Sequence, residues 1–122
     1  MMKNIKTIVR GLLIADATLT AIVPATRIQQ AWPTVDQVFP CIVYSESNNF
    51  VDDDDYADNV PFSENSELEF HIFQQSNIDP YAIYSELDRI MVVNGWSRSS
   101  SQDQFESDTL LNHRLVRYEK RL

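Results

Sequence analysis

The strongest candidate for chemistry in this sequence is a run of four consecutive aspartates, Asp52, Asp53, Asp54 and Asp55, followed by Asp58. Clustered carboxylates can bind calcium, because hard cations prefer oxygen ligands. The loop of a helix-loop-helix calcium site needs a glycine at its sharp turn. In a loop that begins at Asp53, Asp58 occupies that position. The spacing therefore favours a solvated acidic segment over a specific calcium site.

Metal binding and nucleophilic catalysis would have to use the only histidines, His71 and His113, or the only cysteine, Cys41. They do not follow the ligand spacing of a zinc site or a zinc protease. Each histidine alternates with apolar residues, so we expect both on strands, where a carboxylate could pair with either across the sheet. Cys41 precedes Ile42 and Val43, which is typical of a small buried side chain and not of a reactive thiol.

Other catalytic arrangements also lack a specific signal. Two glycines, Gly11 and Gly95, are too few for a phosphate-binding loop, and helices explain both. The 18 acidic residues could include a catalytic pair, but nothing in their spacing selects one. We therefore predict no catalytic residues, no metal and no cofactor.

Acidic charge is concentrated in the middle of the chain. Residues 46–88 hold twelve acidic and no basic side chains, whereas residues 1–45 and 89–122 each have a small excess of basic ones. Such a block repels phosphate, which argues against stable nucleic-acid binding. It is compatible with DNA that passes without being bound.

The basic residues Arg114, Arg117, Lys120 and Arg121 form the one cationic cluster in the sequence, on both faces of a predicted last strand. Two interpretations remain open. The cluster could be a charged edge strand that resists aggregation, or it could bind the acidic block of a neighbouring copy.

Two helices are predicted to open the chain. Apolar residues recur at helical spacing from Ile5 to Leu13. Asp16 can cap a second helix over residues 17–23, which Pro24 ends. The basic residues before this apolar stretch also resemble a signal peptide, but Asp16 interrupts the apolar region and argues against secretion. No uncharged run is long enough to predict a membrane span.

Three strands and a long connection follow. We predict strands over residues 27–30, 41–44 and 66–75, the last with Leu68, Phe70 and Ile72 on one buried face. Residues 48–65 lack a regular apolar period, so we predict a long mobile connection there.

A helix and a closing hairpin complete the predicted elements. The helix is capped by Asp79, carries Ile83, Leu87, Ile90 and Met91 on one face, and ends at Asn94-Gly95. Residues 96–100 and 110–121 then form a hairpin around a polar turn near residues 101–107.

This order of elements predicts one α+β domain over residues 1–122. We expect an antiparallel sheet of four to five strands, with the N-terminal helices and one long helix packed on one face. The long acidic loop would connect two of the strands.

Several short motifs follow one another along nearly the whole chain. They are Leu12-Leu13 with residues 16–23, Arg27-Ile28, residues 39–44, residues 58–63 with Val60-Pro61-Phe62-Ser63, residues 91–96 with Asn94-Gly95-Trp96, residues 105–109, His113, and Arg117-Tyr118. In this order and spacing they resemble the tail-completion, or tail-to-head joining, proteins of long non-contractile-tailed phages and prophages.

The resemblance implies a virion structural protein that is made in the host cytoplasm and resides in the phage neck. Such proteins cap the tail tube at its head-proximal end and join it to the head connector or stopper protein. They usually form a hexameric ring of identical copies through which DNA passes. The resemblance implies no catalytic residues and no membrane contact.

For such a ring we predict a set of interface or channel-lining residues. They are Asp52, Asp53, Asp54, Asp55, Asp58, Phe62, Arg114, Arg117, Lys120 and Arg121. Acidic residues in the channel would repel DNA phosphate, and the basic ones would bind a neighbouring copy. We expect residues 48–65 to be poorly ordered in the isolated protein, because four adjacent aspartates repel one another.

Two hypotheses of other classes compete with this one. The acidic run could imitate DNA phosphate, making the protein a small inhibitor of a basic host or phage enzyme. Binding to a nuclease would favour that hypothesis. An enzyme is the third hypothesis and has the least support from the sequence.

Overall fold

The computed structural model describes residues 5–30, 39–51, 56–57, 60–61, 64–75, 79–106 and 111–121. Its helices are α1 (Ile5–Ile14), α2 (Ala17–Ile22) and α3 (Tyr81–Val93), with a short 3-10 turn at Ala25–Arg27. The strands are β1 (Ile28–Gln29), β2 (Cys41–Val51), β3 (Tyr56–Ala57), β4 (Val60–Pro61), β5 (Glu64–Gln75), β6 (Ser97–Glu106) and β7 (Leu111–Arg121).

Five of these strands form one open sheet in the order β1-β2-β5-β7-β6. The β2–β5, β5–β7 and β7–β6 pairs are antiparallel, and only the short β1 is parallel to its neighbour. β3 and β4 pair separately with each other. The predicted α+β class and the predicted number of strands are confirmed.

The core lies between one face of the sheet and the helices, as predicted. Tyr44, Phe70 and Tyr118 stand side by side on β2, β5 and β7 and are fully buried. The Tyr44 and Phe70 rings stack with their centroids 4.9 Å apart, and Tyr118 meets Phe70 edge-on at 5.7 Å. The Tyr44 hydroxyl donates a hydrogen bond to the backbone oxygen of Lys6 at 2.6 Å, which ties α1 to the sheet.

The predicted stop of α3 is confirmed, whereas its start lies one residue later than predicted, with Pro80 at the N-cap position instead of the first helical position. Asp79 Oδ1 accepts the backbone N–H of Tyr81 at 2.9 Å. At the other end Gly95 has φ +89°, which glycine adopts without strain. The N–H groups of Gly95 and Trp96 then bond back to the carbonyls of Val92 and Met91, and so satisfy the end of the helix.

The predicted connection over residues 48–65 is wrong in its bounds. β2 continues to Val51 and β5 begins at Glu64, and Phe50 pairs with Asn65. Further along, Tyr56 and Ala57 pair with Pro61 and Val60. The sequence did not predict these strand pairs, because their residues are mostly polar and show no apolar period. The pairs are held by backbone hydrogen bonds, which any residue except proline can donate.

The predicted turn over residues 101–107 is also wrong where the structure describes it, since β6 runs unbroken to Glu106. β6 is the last strand of the sheet, and the side chains from Ser97 to Gln104 are all exposed. When both faces of a strand are exposed to solvent, apolar and polar residues do not alternate along it, so its sequence resembles that of a polar turn.

The placement of β7 settles one of the open interpretations of the basic cluster. β7 lies between β5 and β6, so the cluster is not on an edge strand. Val116 and Tyr118 point from β7 into the core, which identifies its inward face. Within the described residues, no helix is long and apolar enough to cross a membrane.

Candidate functional site

A polar network occupies the sheet face opposite the helices. It is built on β5 and β7, where Glu69 pairs with Arg117 and Phe73 with His113 in register. Arg117 Nε lies 3.3 Å from Glu69 Oε2 and 3.9 Å from Glu67 Oε1. The network therefore holds a basic side chain of the predicted cluster between two carboxylates.

The two histidines belong to the same network. Glu69 Oε1 lies 2.9 Å from His71 Nε2, and His71 Nδ1 lies 2.8 Å from His113 Nε2. One arrangement of protons satisfies both contacts: His71 donates to Glu69 from Nε2, and His113 donates to His71 from Nε2. The Phe73 ring stacks on His113 at 4.4 Å.

The histidine arrangement differs from the sequence prediction in its partners. The carboxylate that pairs with His71 is on the same strand, and the contact across the sheet is between the two histidines. Within the described part of the chain, no group of three or more side chains could hold a metal ion. What the network can do is fix the register of β5 against β7 through a chain of hydrogen bonds, of which those to the Glu69 carboxylate are charge-assisted.

Arg114 lies on the helix-bearing side of β7 and contacts both α3 and β6. Its guanidinium stacks over the Tyr84 ring at 4.3 Å and bonds Asp103 Oδ1 at 2.8 Å. Nε and Nη2 also donate to Ser101 Oγ, at 3.0 and 2.8 Å. The contacts of Arg114 therefore stabilise the packing of the edge strand β6 against β7 and α3.

Lys120 also has partners within the chain. Its Nζ donates to the backbone oxygen of Asn94 at 2.8 Å and lies 5.9 Å from the centre of the Trp96 ring. A cation is favourable there, because the carbonyl end of a helix carries partial negative charge. Arg121 lies at the end of β7, where its backbone pairs with Asn65.

The predicted site residues are thus only partly brought together. Arg114 and Lys120 share one face of β7, whereas Arg117 lies on the other. Asp52, Asp53, Asp54, Asp55, Asp58 and Phe62 lie outside the described residues. The prediction that these acidic residues and Phe62 form an interface or line a channel therefore stays a prediction.

Cys41 is buried at the start of β2, next to Phe73 and Phe39. Burial raises the pKa of its thiol to about 11, because the thiolate would lose its hydration. This agrees with the predicted structural role of the cysteine.

Sequence reasoning predicted a strand over residues 96–100 but missed its continuation to Glu106 and its place at the exposed edge of the sheet. The segment from Ser97 to Gln104 contains four serines and two glutamines, which matches turn composition as well as strand composition. The missing signal was tertiary, because only pairing with β7 makes this segment a strand.

Comparisons with known proteins identify the fold but not a family. No family model and no curated protein matches the chain. Among solved structures, it is similar to a chain from the virion of a native gene transfer agent particle, with a TM-score of 0.75 and 14% identity. The match covers 95% of this chain and 92% of the other. At this identity the likeness shows a shared fold alone.

Proposed function

We propose that this protein is a virion structural component of a long-tailed phage or prophage, located at the head-proximal end of the tail. There it caps the tail tube and joins it to the head connector or stopper protein. The observation that carries the proposal is the fold, shared over almost its whole length with a chain of a virion particle.

The sequence motifs give independent support. The Phe39–Tyr44 motif leads into β2, and Asn94-Gly95-Trp96 forms the hydrogen-bonded stop of α3. The resemblance to tail-completion proteins thus rests on residues that build the fold. A shared fold alone does not define a function, so the neck position remains our proposal.

The described polar side chains support a structural role over an enzymatic one. Glu69, His71 and Arg117 bond within one network, and Arg114 is held by Tyr84, Asp103 and Ser101. Burial disfavours the reactive form of the Cys41 thiol. We therefore propose that the protein is not an enzyme.

We further propose that the protein acts as a ring, hexameric in the virion, with DNA passing through it unbound. The acidic block of residues 46–88 would repel phosphate along the passage, chiefly through the aspartates at 52–55 and 58, because Glu67, Glu69, Glu86 and Asp88 pair with arginines of the chain. The free protein is expected to be monomeric or weakly associating, because its sequence contains no long coiled-coil seam and no uninterrupted apolar strand that would form an obligate interface. The tail tube and the connector would then promote assembly.

A particle lacking this protein tests the proposal. When phage assembly proceeds without the chain, we expect full heads and separate tails, and the tails should vary in length because nothing caps the growing tube. Restoring the chain should restore joined particles of uniform tail length. Normal joined particles in its absence would reject the proposed function.

A further inference from the structure

The edge of the sheet at β6 is a long surface of backbone hydrogen-bonding groups. β6 spans ten residues, and β7 is its only neighbour among the strands that the structure describes. In an antiparallel strand, alternate residues direct their N–H and C=O groups away from the neighbouring strand. Such an edge can accept a further strand.

Natural edges are usually protected against uncontrolled pairing by bulges, charges or proline. β6 has one bulge, between Arg98 and Ser100. Beyond the bulge, residues 100–102 contain neither a charge nor a proline. The centre of the edge is therefore open to pairing, and its polar side chains keep it soluble until a partner arrives.

A second open edge lies on the opposite side of the sheet. β1 pairs only with Ile42 and Val43 of β2. Further along β2, the backbone of residues 48–51 pairs with β5, and no described strand lies on its other side.

Strand direction decides how the two edges can meet. β2 and β7 run the same way, because each is antiparallel to β5, and β6 runs against them. A second copy placed beside the first in the same orientation would set β6 antiparallel to β2. That pairing continues the pattern of the sheet, and the same head-to-tail contact repeated with a fixed rotation between copies can close into a ring.

Charge does not oppose this pairing. Residues 48–51 of β2 carry no charge, and β6 carries one basic and two acidic side chains, so neither edge has a large net charge of its own.

We propose that neighbouring copies associate head to tail, with the β6 edge of one copy pairing antiparallel with residues 48–51 of β2 in the next. The assembly of copies into a ring rests on the proposed function, whereas the choice of strands in the contact is inferred from the two edges of the sheet. Because it joins two different surfaces, it can propagate beyond a dimer and close a ring.

Cross-linking of the purified protein tests the contact directly. Two single variants, Ser101→Cys on β6 and Asn49→Cys on β2, are mixed at high concentration with a short bis-maleimide. Cys41 can stay, because it is buried and its thiol pKa is raised. Ser85→Cys on the exposed side of α3 is the control, and Ser100→Cys replaces Ser101→Cys if that variant melts early.

The proposal predicts cross-links between positions 101 and 49 at least tenfold more abundant than those between 101 and 101 or between 85 and 49. The double variant with cysteines at 49 and 101 should give a ladder beyond dimers. Predominant 101–101 cross-links, or equal yields at all positions, would overturn the proposal.

The same proteins separate this contact from the proposed function. A chain that cross-links between 49 and 101 but never binds tail tubes would reject the function and keep the contact. A chain that binds tube ends normally, but without enrichment of 49–101 cross-links on the tubes, would keep the function and reject the contact. Gln102→Lys should weaken the cross-linking, because a charge in the middle of an edge opposes strand addition.

Discussion

Asp16 and Arg89 join the second helix to the third. Arg89 Nη2 lies 2.9 and 3.0 Å from the two oxygens of the Asp16 carboxylate. The same carboxylate accepts the backbone N–H of Leu19 at 3.0 Å and so caps α2. One side chain therefore sets both the start of a helix and its position against α3.

Replacing Asp16 separates these two roles. Asp16→Asn should keep most of the cap but lose the ion pair with Arg89, and Asp16→Ala should lose both, so we expect the alanine variant to melt at the lower temperature. Thermal melts of the two variants check this order. Equal melting temperatures would show that the cap contributes nothing.

The same pair predicts a pH dependence. The hydrogen bond from Arg89 is the main reason that the pKa of Asp16 is lowered from its usual 3.8. A lowered pKa in the folded state means that the carboxylate stabilises the fold above pH 3.8 and loses this contribution as the pH falls. Wild type should therefore lose more stability in acid than Asp16→Asn does. A difference between the two that stays constant with pH would contradict this assignment.

Leu87 and Met91 lie on the face of α3 that is packed under the sheet, and both are fully buried. Leu87→Ala or Met91→Ala should each lower the free energy of unfolding by about 2 to 5 kcal/mol, because each leaves a cavity. Val93→Ala is the matched control on the same helix, since Val93 is 79% exposed. Its effect should stay within about 0.5 kcal/mol in chemical denaturation.

Replacing each of the two glycines with alanine should change the free energy of unfolding in opposite directions. Gly95 has φ +89°, so Gly95→Ala should destabilise the protein by about 1 to 2 kcal/mol through backbone strain. Gly11 lies inside α1, and an added Cβ would meet nothing within 4 Å. Gly11→Ala should therefore stabilise the protein by about 0.5 to 1 kcal/mol. Denaturant titration of both variants checks the signs, and equal signs would contradict the account.

The acidic run has a test of its own in the assembled particle. Changing Asp52, Asp53, Asp54 and Asp55 to Asn removes four charges and keeps the side-chain size. Loss of tail joining would indicate a protein contact, whereas joined particles that deliver DNA poorly would indicate a channel lining. If both joining and delivery survive, the run only increases solubility and its proposed role is wrong.

Much of the fold could be predicted because local signals agreed with the tertiary structure. The alternation of Leu68, Phe70 and Ile72 identified a strand with one buried face, and Gly95 marked the end of α3. Only the first part of β6 was predicted as a strand, and residues 101–106 were not, because an exposed edge strand has no buried side and therefore no apolar period.

The surface was harder to predict than the core. The sequence identified the basic residues of β7 but not their partners, since Arg114 meets Tyr84 only after α3 folds back onto the sheet. Likewise, the contact between His71 and His113 depends on the register of β5 against β7. Such contacts join residues far apart in the chain, and no local pattern encodes them.

The central claim, a neck protein that caps the tail tube, is tested most directly by adding the purified chain to purified tail tubes and examining them by electron microscopy. Light scattering of the chain alone should first show a monomer or weak association. We predict ring-shaped density at one end of each tube, the end that joins heads, and no binding along the tube wall. Tube ends that remain bare at saturating protein, or a stable closed ring in the absence of tubes, would contradict the account.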